Sequence, residues 1–568
     1  MTLDPAGHTV ACRLLTGLAA RGLMTFYANA GTDFAPLIEA HVRAREAGLR
    51  VPRFVNVPHE QVAVTIAHGA HLVDGAPQVV GVHHTVGTAN AVSAVMTAAR
   101  ERVPLLLLAG RAPSTESGSI GSRDVVVHWG TDTFDQGGML REYLKWDHEL
   151  RVGQDVDAVL DRALDIALTE PRGPVYLTLP REVLVEPAAP SVDGRSRVGA
   201  ATPKPDDAAV EQLADWLQAS GRPVIVTSSA GRDPGLCAAL AAIAELAAVP
   251  VVEHYPRAVN LPGNHPMHAG FDPAPWVAQA DLVIALDCEV PWLPRTTSLA
   301  AGARVVHVGV DPLYTRIPMR GFPVDAAIVC KPLAALQALH AVLRRRGSVD
   351  TPASQRRRAD AQTRRQQRDA ALAVQRAAPA QQGVIDPGWL AVCLREILDD
   401  DCIVLNEYGL PLAPMGFRGP GQFFGAGISG ALGWTLPAAL GAQLAAPDKT
   451  IVAVVGDGSY LFGNPVVCHY LAAAEQLPVL AIVLNNGGYA AVRRAVEVVY
   501  PDGAAAREAS LGLATFHPVP RYDGVAAACG ARAERVELPQ ALPERLRAAL
   551  DSVRTQRRHV LLDVLCSA

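Results

Sequence analysis

Short runs of β-branched and aliphatic residues alternate along this chain with longer stretches rich in Ala and Leu. Apolar runs of about four to eight residues, bounded by turn residues, predict strands buried on both faces, and the stretches between them predict helices. The alternation occurs three times. The first block carries strands at Val79–Val82 and Leu105–Leu108 and closes on Pro174–Pro180. The second carries Pro223–Thr227, Val249–Val252, Leu282–Leu286 and Val305–Val308. The third carries Ile403–Leu405, Ile451–Val455, Val479–Leu484 and Val560–Val564. Strands joined through helices lie parallel and covered on both faces. The expected fold class is therefore α/β, with three doubly wound parallel-sheet domains. A single core stops growing near ~250–300 residues, so a chain of 568 residues agrees with three.

The expected domains are 1–185, 205–343 and 384–568. Residues 184–205 bring prolines together with Ser, Asp and Gly and read as a linker. A second connector, 344–383, is unusual. From Arg344 to Arg376 it holds ten arginines against Asp350, Asp360 and Asp369. No aromatic residues interleave to stack on bases, so this segment reads as a solvated helix crossing between domains.

Composition narrows the classes. Hydrophobic residues at 49% and charged residues at 19% exclude a disordered chain. The net charge of -5 lacks the basic field a nucleic-acid partner needs. No apolar stretch reaches the ~18 residues of a membrane span. Asp4, His8 and Arg13 interrupt what would be a leader in Met1–Leu23. Nine cysteines, an odd number without CxxC spacing, disfavour zinc and a disulfide framework; a cytoplasmic location is expected.

The chemistry concentrates at Gly456-Asp457-Gly458-Ser459, directly after the strand Ile451–Val455. A further apolar strand, Val479–Leu484, ends in Asn485-Asn486, and 26 residues separate Gly458 from Asn485. That length holds one helix and a return strand. The Asp and the Asn pair thus stand at carboxyl ends of neighbouring parallel strands, where open α/β sheets bind ligands. A carboxylate and an amide oxygen suit a hard cation such as Mg²⁺. The glycines Gly456 and Gly458 let a diphosphate approach backbone N–H groups at the next helix start.

A GDG triplet, 26 residues and then NN resembles the binding motif of thiamine-diphosphate (ThDP) enzymes, the 2-oxo-acid decarboxylases and carboligases that include acetolactate synthase and benzoylformate decarboxylase. The resemblance implies Asp457, the Asn486 side chain and the Gly488 carbonyl as metal ligands, with Ser459 and Tyr460 facing the diphosphate. His59-Glu60-Gln61, opening a helical stretch, matches the family motif whose glutamate hydrogen-bonds the cofactor's pyrimidine ring. That contact leads to loss of the thiazolium C2 proton. Gly81-Val-His83-His84-Thr-Val-Gly-Thr-Ala-Asn90 resembles the family loop beside the cofactor. It implies Asn90 as a cofactor contact and His83 and His84 as catalytic groups at the reacting carbon. Asn29-Ala-Gly31-Thr32 resembles the first strand-to-helix turn and places Thr32 where the family has a substrate-contacting serine. Gly430-Ala-Leu432-Gly-Trp-Thr-Leu-Pro437 implies Leu432 as the apolar wedge beneath the cofactor.

The resemblance implies decarboxylation of a 2-oxo acid followed by carboligation of the resulting enamine, as in acetolactate synthase. Decarboxylation without ligation, of the benzoylformate type, is the alternative, and a catalytically silent binding or regulatory paralogue is a third. It also implies a homodimer or homotetramer, with each site built from the pyrimidine domain of one subunit and the diphosphate domain of another. Residues 287–294 hold no histidine, which sets the chain apart from benzoylformate decarboxylase itself. The middle block has no clear flavin or ADP motif, so FAD stays possible but unsupported. Gly425–Gly430 is formally GxGxxG, but it follows a poor strand candidate and does not predict a dinucleotide site. Pyridoxal phosphate needs a Schiff-base lysine, and none of Lys145, Lys204, Lys331 and Lys449 lies in a phosphate-binding motif.

Overall fold

The computed structural model describes residues 9–188, 199–347, 351–377, 383–508 and 510–567. Most of the linker around 189–198 and the ends of the second connector, 348–350 and 378–382, lie outside them. Three wholly parallel sheets follow one another. The first contains β1 (Thr25–Ala28), β2 (Arg53–Asn56), β3 (Gln78–Val82), β4 (Leu105–Arg111), β5 (Trp146–Glu149) and β6 (Val175–Pro180), in the order β2-β1-β3-β4-β6-β5. The second contains β7 (Pro223–Thr227), β8 (Val251–Glu253), β9 (Leu282–Leu286), β10 (Arg304–Gly309) and β11 (Ala326–Val329), ordered β11-β10-β9-β7-β8. The third contains β12 (Cys402–Glu407), β13 (Phe423–Gly425), β14 (Thr450–Gly456), β15 (Val479–Asn485), β16 (Arg532–Val536) and β17 (Val560–Leu565), ordered β13-β12-β14-β15-β17-β16.

The first and third sheets share one winding. In each, the chain reverses direction beside the sheet's first strand, between β1 and β3 and between β12 and β14. Such switch points open a crevice at the strands' carboxyl ends. Asn29–Asp33 and His83 lie at one, Glu407 and Asp457 at the other.

The two outer domains share a core. Helix Glu60–Asp74 crosses helix Thr435–Ala445, and Val62, Ile66, Leu436, Ala439 and Leu440 are buried in one cluster. Two glycines set the closeness of the crossing. A Cβ on Gly69 would lie 1.9 Å from the Ala438 carbonyl oxygen, and one on Gly441 would lie 1.9 Å from that of Ile66. The Trp434 indole N–H donates to His68 Nδ1 at 3.2 Å across the same seam.

Several elements differ from the sequence-based expectation. Strands β2, β5, β11, β13 and β16 were not expected, and all of them are sheet edges. Edges keep one polar face, so Trp146-Asp-His-Glu149 and Arg532-Ala-Glu-Arg-Val536 lack the apolar run that marks a central strand. The strand β13 does precede the GxGxxG sequence, but no helix opens until Thr435, so the turn has no helix N-terminus to offer a phosphate. The arginine-rich connector forms helix Pro352–Ala377, and it is docked rather than simply solvated. Arg357 donates to the carbonyls of Ser220 (2.9 Å), Ala247 (2.8 Å) and Ala248 (3.1 Å). Arg365 and Arg368 donate to those of Asn264 (2.8 Å) and His268 (3.2 Å). These arginines fasten the helix to the middle domain. No helix among the described residues is long and apolar enough to cross a membrane.

Candidate active site

The diphosphate side is built where β14 ends. Asp457 opens the short helix Asp457–Phe462 and is 1% exposed. Its Oδ1 accepts from the Gly458 N–H at 2.8 Å and its Oδ2 from the Gly488 N–H at 3.0 Å. Asn486 Oδ1 accepts from the same Gly488 N–H at 3.2 Å. The three residues expected as metal ligands therefore converge. Burial pushes the Asp457 carboxyl up to about 6, against the hydrogen bonds it accepts from backbone N–H groups. A buried carboxylate beside an amide oxygen suits a hard divalent cation, which would supply the missing counter-charge.

Glu407, at the end of β12, organises the neighbouring turn. It is 1% exposed and accepts from the backbone N–H groups of Gly433 (2.8 Å), Trp434 (2.7 Å) and Thr435 (3.0 Å). Burial raises its pKa despite those bonds and one from the Ser459 hydroxyl. This clamp holds the turn that carries Leu432, which is half-buried.

The Ser459 hydroxyl donates to Glu407. One expectation needs correction. The Tyr460 side chain points away from the diphosphate loop into the core, where its hydroxyl donates to His469 Nε2 at 2.7 Å. A short helix whose next turn is packed against the sheet turns that ring inward.

On the N-terminal domain, Glu60 begins its helix, 4% exposed. Asn29 Nδ2 donates to its Oε1 at 2.9 Å and Asn90 Nδ2 to its Oε2 at 3.1 Å. Asn90 thus holds the glutamate. Gln61 Nε2 donates to the Leu432 carbonyl at 3.4 Å, linking this side to the Leu432 turn.

His83 caps the helix His84–Arg100 at the end of β3. Its Nδ1 lies 2.6 Å from Oδ1 of Asp33, and its side chain keeps 19% exposure. His84 is wholly buried, its Nδ1 3.3 Å from the Thr131 hydroxyl. Burial brings its pKa down to about 4, with the Asp33 charge opposing and His83, His128 and Arg181 assisting. His84 is thus a neutral packing neighbour and not a group at the cleft surface, which corrects its expected catalytic role. Thr32 is exposed, and its hydroxyl lies 3.2 Å from His128 Nε2. The interdomain cavities of about 480 and 280 Å³ are lined by neither the Asp457 nor the Glu60 set.

Sequence reasoning missed Asp33, His128 and the clamp of Glu407. Asp33 adjoins the Asn29–Thr32 motif, but its partner is 50 residues away, and only the β1–β3 pairing shows the contact.

The profile of the thiamine pyrophosphate enzyme N-terminal TPP binding domain matches residues 8–139, that of the central domain 210–339, and that of the C-terminal TPP binding domain 410–564. The chain belongs to the ThDP-dependent 2-oxo-acid decarboxylase family and is an enzyme of the ThDP lyase or transferase type. It is 28% identical to benzoylformate decarboxylase of Pseudomonas aeruginosa over 96% of this chain and 97% of that one. It is 26% identical to sulfoacetaldehyde acetyltransferase of Rhodobacter capsulatus, covering 94% and 90%. Acetolactate synthase of Mycobacterium bovis is also 26% identical, covering 85% and 78%. The fold is shared with the solved ThDP-dependent 4-hydroxybenzoylformate decarboxylase of Rhodococcus jostii RHA1, at a TM-score of 0.76 and 23% identity over 98% of this chain and 99% of that one.

Proposed function

We propose that this enzyme uses ThDP and Mg²⁺ to decarboxylate a 2-oxo acid and releases the aldehyde. The carrying observation is His83, a half-buried imidazole at the switch-point crevice, backed by a buried carboxylate. ThDP, when bound, supplies the electron sink that lets CO₂ leave. The chain's own groups supply orientation and protons. Asp457, Asn486 and the Gly488 carbonyl would hold the metal. Glu60, fixed by two side-chain amides, would hold the pyrimidine ring through a hydrogen bond. Leu432 would support the cofactor from below. With Nδ1–H given to Asp33, His83 keeps Nε2 for the cleft, from which it donates a proton to the carbon that lost CO₂. One proton is consumed for each CO₂ released.

Acetolactate-type ligation is the second reading, supported by the acetolactate synthase and acetyltransferase relatives. Residues 287–294 bring Cys288 and Trp292 into the core and no histidine, so the substrate is assigned here only as a 2-oxo acid.

Two subunits complete each site in this reading. A second chain would cover Val86 beside Glu60 and Phe462 beside Asp457, which are 48% and 51% exposed. A cytoplasmic location is supported by nine free cysteines, eight of them buried.

The test is a panel of 2-oxo acids, from pyruvate through branched to aromatic, with ThDP and Mg²⁺. CO₂, aldehyde and acyloin are measured together. Aldehyde equal to CO₂ supports this reading, acyloin in its place supports ligation, and no CO₂ from any member overturns both. A sedimenting monomer that turns over would refute the shared site.

A further inference from the structure

Asp33 lies in the turn Thr32–Phe34 after β1 and is 1% exposed. Its Oδ1 accepts from His83 Nδ1–H at 2.6 Å. Its Oδ2 accepts from the backbone N–H of His84 at 3.2 Å and lies 3.6 Å from His84 Nε2. Two glycines make room for this pair. A Cβ on Gly110 would lie 1.5 Å from Asp33 Oδ2, and one on Gly31 would lie 1.9 Å from His83 Nδ1. Neither has a left-handed φ, so the space and not the backbone demands glycine.

We propose that Asp33 is a positioning residue of the protonation step, fixing the His83 ring with Nδ1–H inward so that Nε2–H is aimed at the cleft. This rests on the reading of His83 as the proton donor. The C–H bond forms from the electron pair that CO₂ leaves behind and the Nε2 proton. His83 is left neutral, and solvent returns its proton. The surroundings favour this cycle. Burial works against the charged ring, but the Asp33 hydrogen bond and charge, with Glu60, raise the His83 pKa overall. Across the ring, 4.0 Å away, His84 is kept neutral and does not repel it. His128, lowered by burial and by Arg181, stands behind His84, with Asp124 and Arg123 beyond it.

The test is Asp33→Asn in the holoenzyme. Aldehyde release should fall at least about tenfold at pH 8 and change little at pH 5.5, because the alkaline limb moves to lower pH. KM should stay within about twofold, as an effect confined to the proton-transfer step requires. In the double variant with His83→Gln, Asp33→Asn should add nothing, the mark of two residues acting as one unit. A profile that overlays the parent's, or a uniform loss at every pH with raised KM, overturns the proposal. Should the variant fail to fold, ¹⁵N-histidine NMR of the parent decides. His83 protonated at Nδ1 with a midpoint above that of free histidine is expected, and Nδ1 without a proton refutes it. That titration needs no substrate, so it fails or succeeds separately from the identity of the reaction.

Discussion

The crossing of helices Glu60–Asp74 and Thr435–Ala445 predicts an unusual sign for a small change, Gly69→Ala. Inside an exposed helix, alanine is better than glycine by roughly 1 kcal/mol. Here the new Cβ would meet the oxygen, carbon and Cα of Ala438 at 1.9, 2.5 and 2.6 Å. All three are backbone atoms, so no rotamer relieves the clash. Reaching ordinary contact at 3.4 Å means parting the helices by about 1.5 Å. A gap of that size forfeits a quarter to a half or more of each dispersion contact across the seam, among them those of Val62, Ile66, Leu436 and Leu440. Overpacking of this kind costs about 1–3 kcal/mol, occasionally more, and outweighs the propensity gain. We expect Gly69→Ala to lower stability by about 2 kcal/mol and to weaken ThDP binding, since Glu60 rides on the displaced helix. The control is Gly524→Ala in helix Tyr522–Ala528, where no atom lies within 4 Å of the new Cβ. It should stabilise by about 0.5–1 kcal/mol. Denaturant midpoints of the cofactor-free proteins give both signs. A Gly69→Ala variant as stable as the parent would refute the shared core.

Three further outcomes follow from buried and part-buried polar groups. His559 Nδ1–H donates to the Val479 carbonyl at 2.9 Å, His469 Nδ1–H to His559 Nε2 at 2.8 Å, and Tyr460 O–H to His469 Nε2. Tyr460→Phe orphans the last acceptor and should cost about 1–3 kcal/mol in a thermal melt; an unchanged melting temperature would contradict the relay. Burial lowers His559 to about 4 and His469 well below 6.5. The unfolded chain therefore binds more protons below pH 6.5, and the stability these groups contribute is complete above that pH and lost as pH falls toward 4. His559→Gln should flatten the decline between pH 7.5 and 5, and an equally steep decline would count against it. Arg357→Gln removes donors to three middle-domain carbonyls and should lower stability by about 2 kcal/mol while leaving kcat per folded enzyme unchanged; a loss of kcat would place that helix in the site.

The meeting of Asp457 with Asn486 is legible in the sequence because both stand at strand ends a fixed helix-and-strand length apart, and it needs only that β14 and β15 be neighbours; Gly488 came from the family resemblance. Central strands are legible for the same reason, as apolar runs buried on both faces. The proton-handling half depends on partners that meet only after folding. Asp33 reaches His83 through the pairing of β1 with β3, and Glu407 reaches Gly433 and Trp434 through the turn after β13. The direction of Tyr460 is set by where the core leaves room for its ring, which no local pattern records. His84 beside His83 shows the same limit, since burial outweighs the Asp33 charge at His84 and lowers its pKa, whereas at His83 the Asp33 hydrogen bond and charge prevail and raise it.

The most direct measurement compares the parent with Glu60→Gln, both loaded with ThDP and Mg²⁺, on the 2-oxo acid the panel selects. CO₂ and aldehyde are followed in the same reaction. Equal CO₂ and aldehyde are expected from the parent, and a fall of about 10²–10⁴-fold in both for the variant, with ThDP binding retained by calorimetry. A Glu60→Gln enzyme that binds ThDP and releases CO₂ at the parent's rate would contradict that expectation.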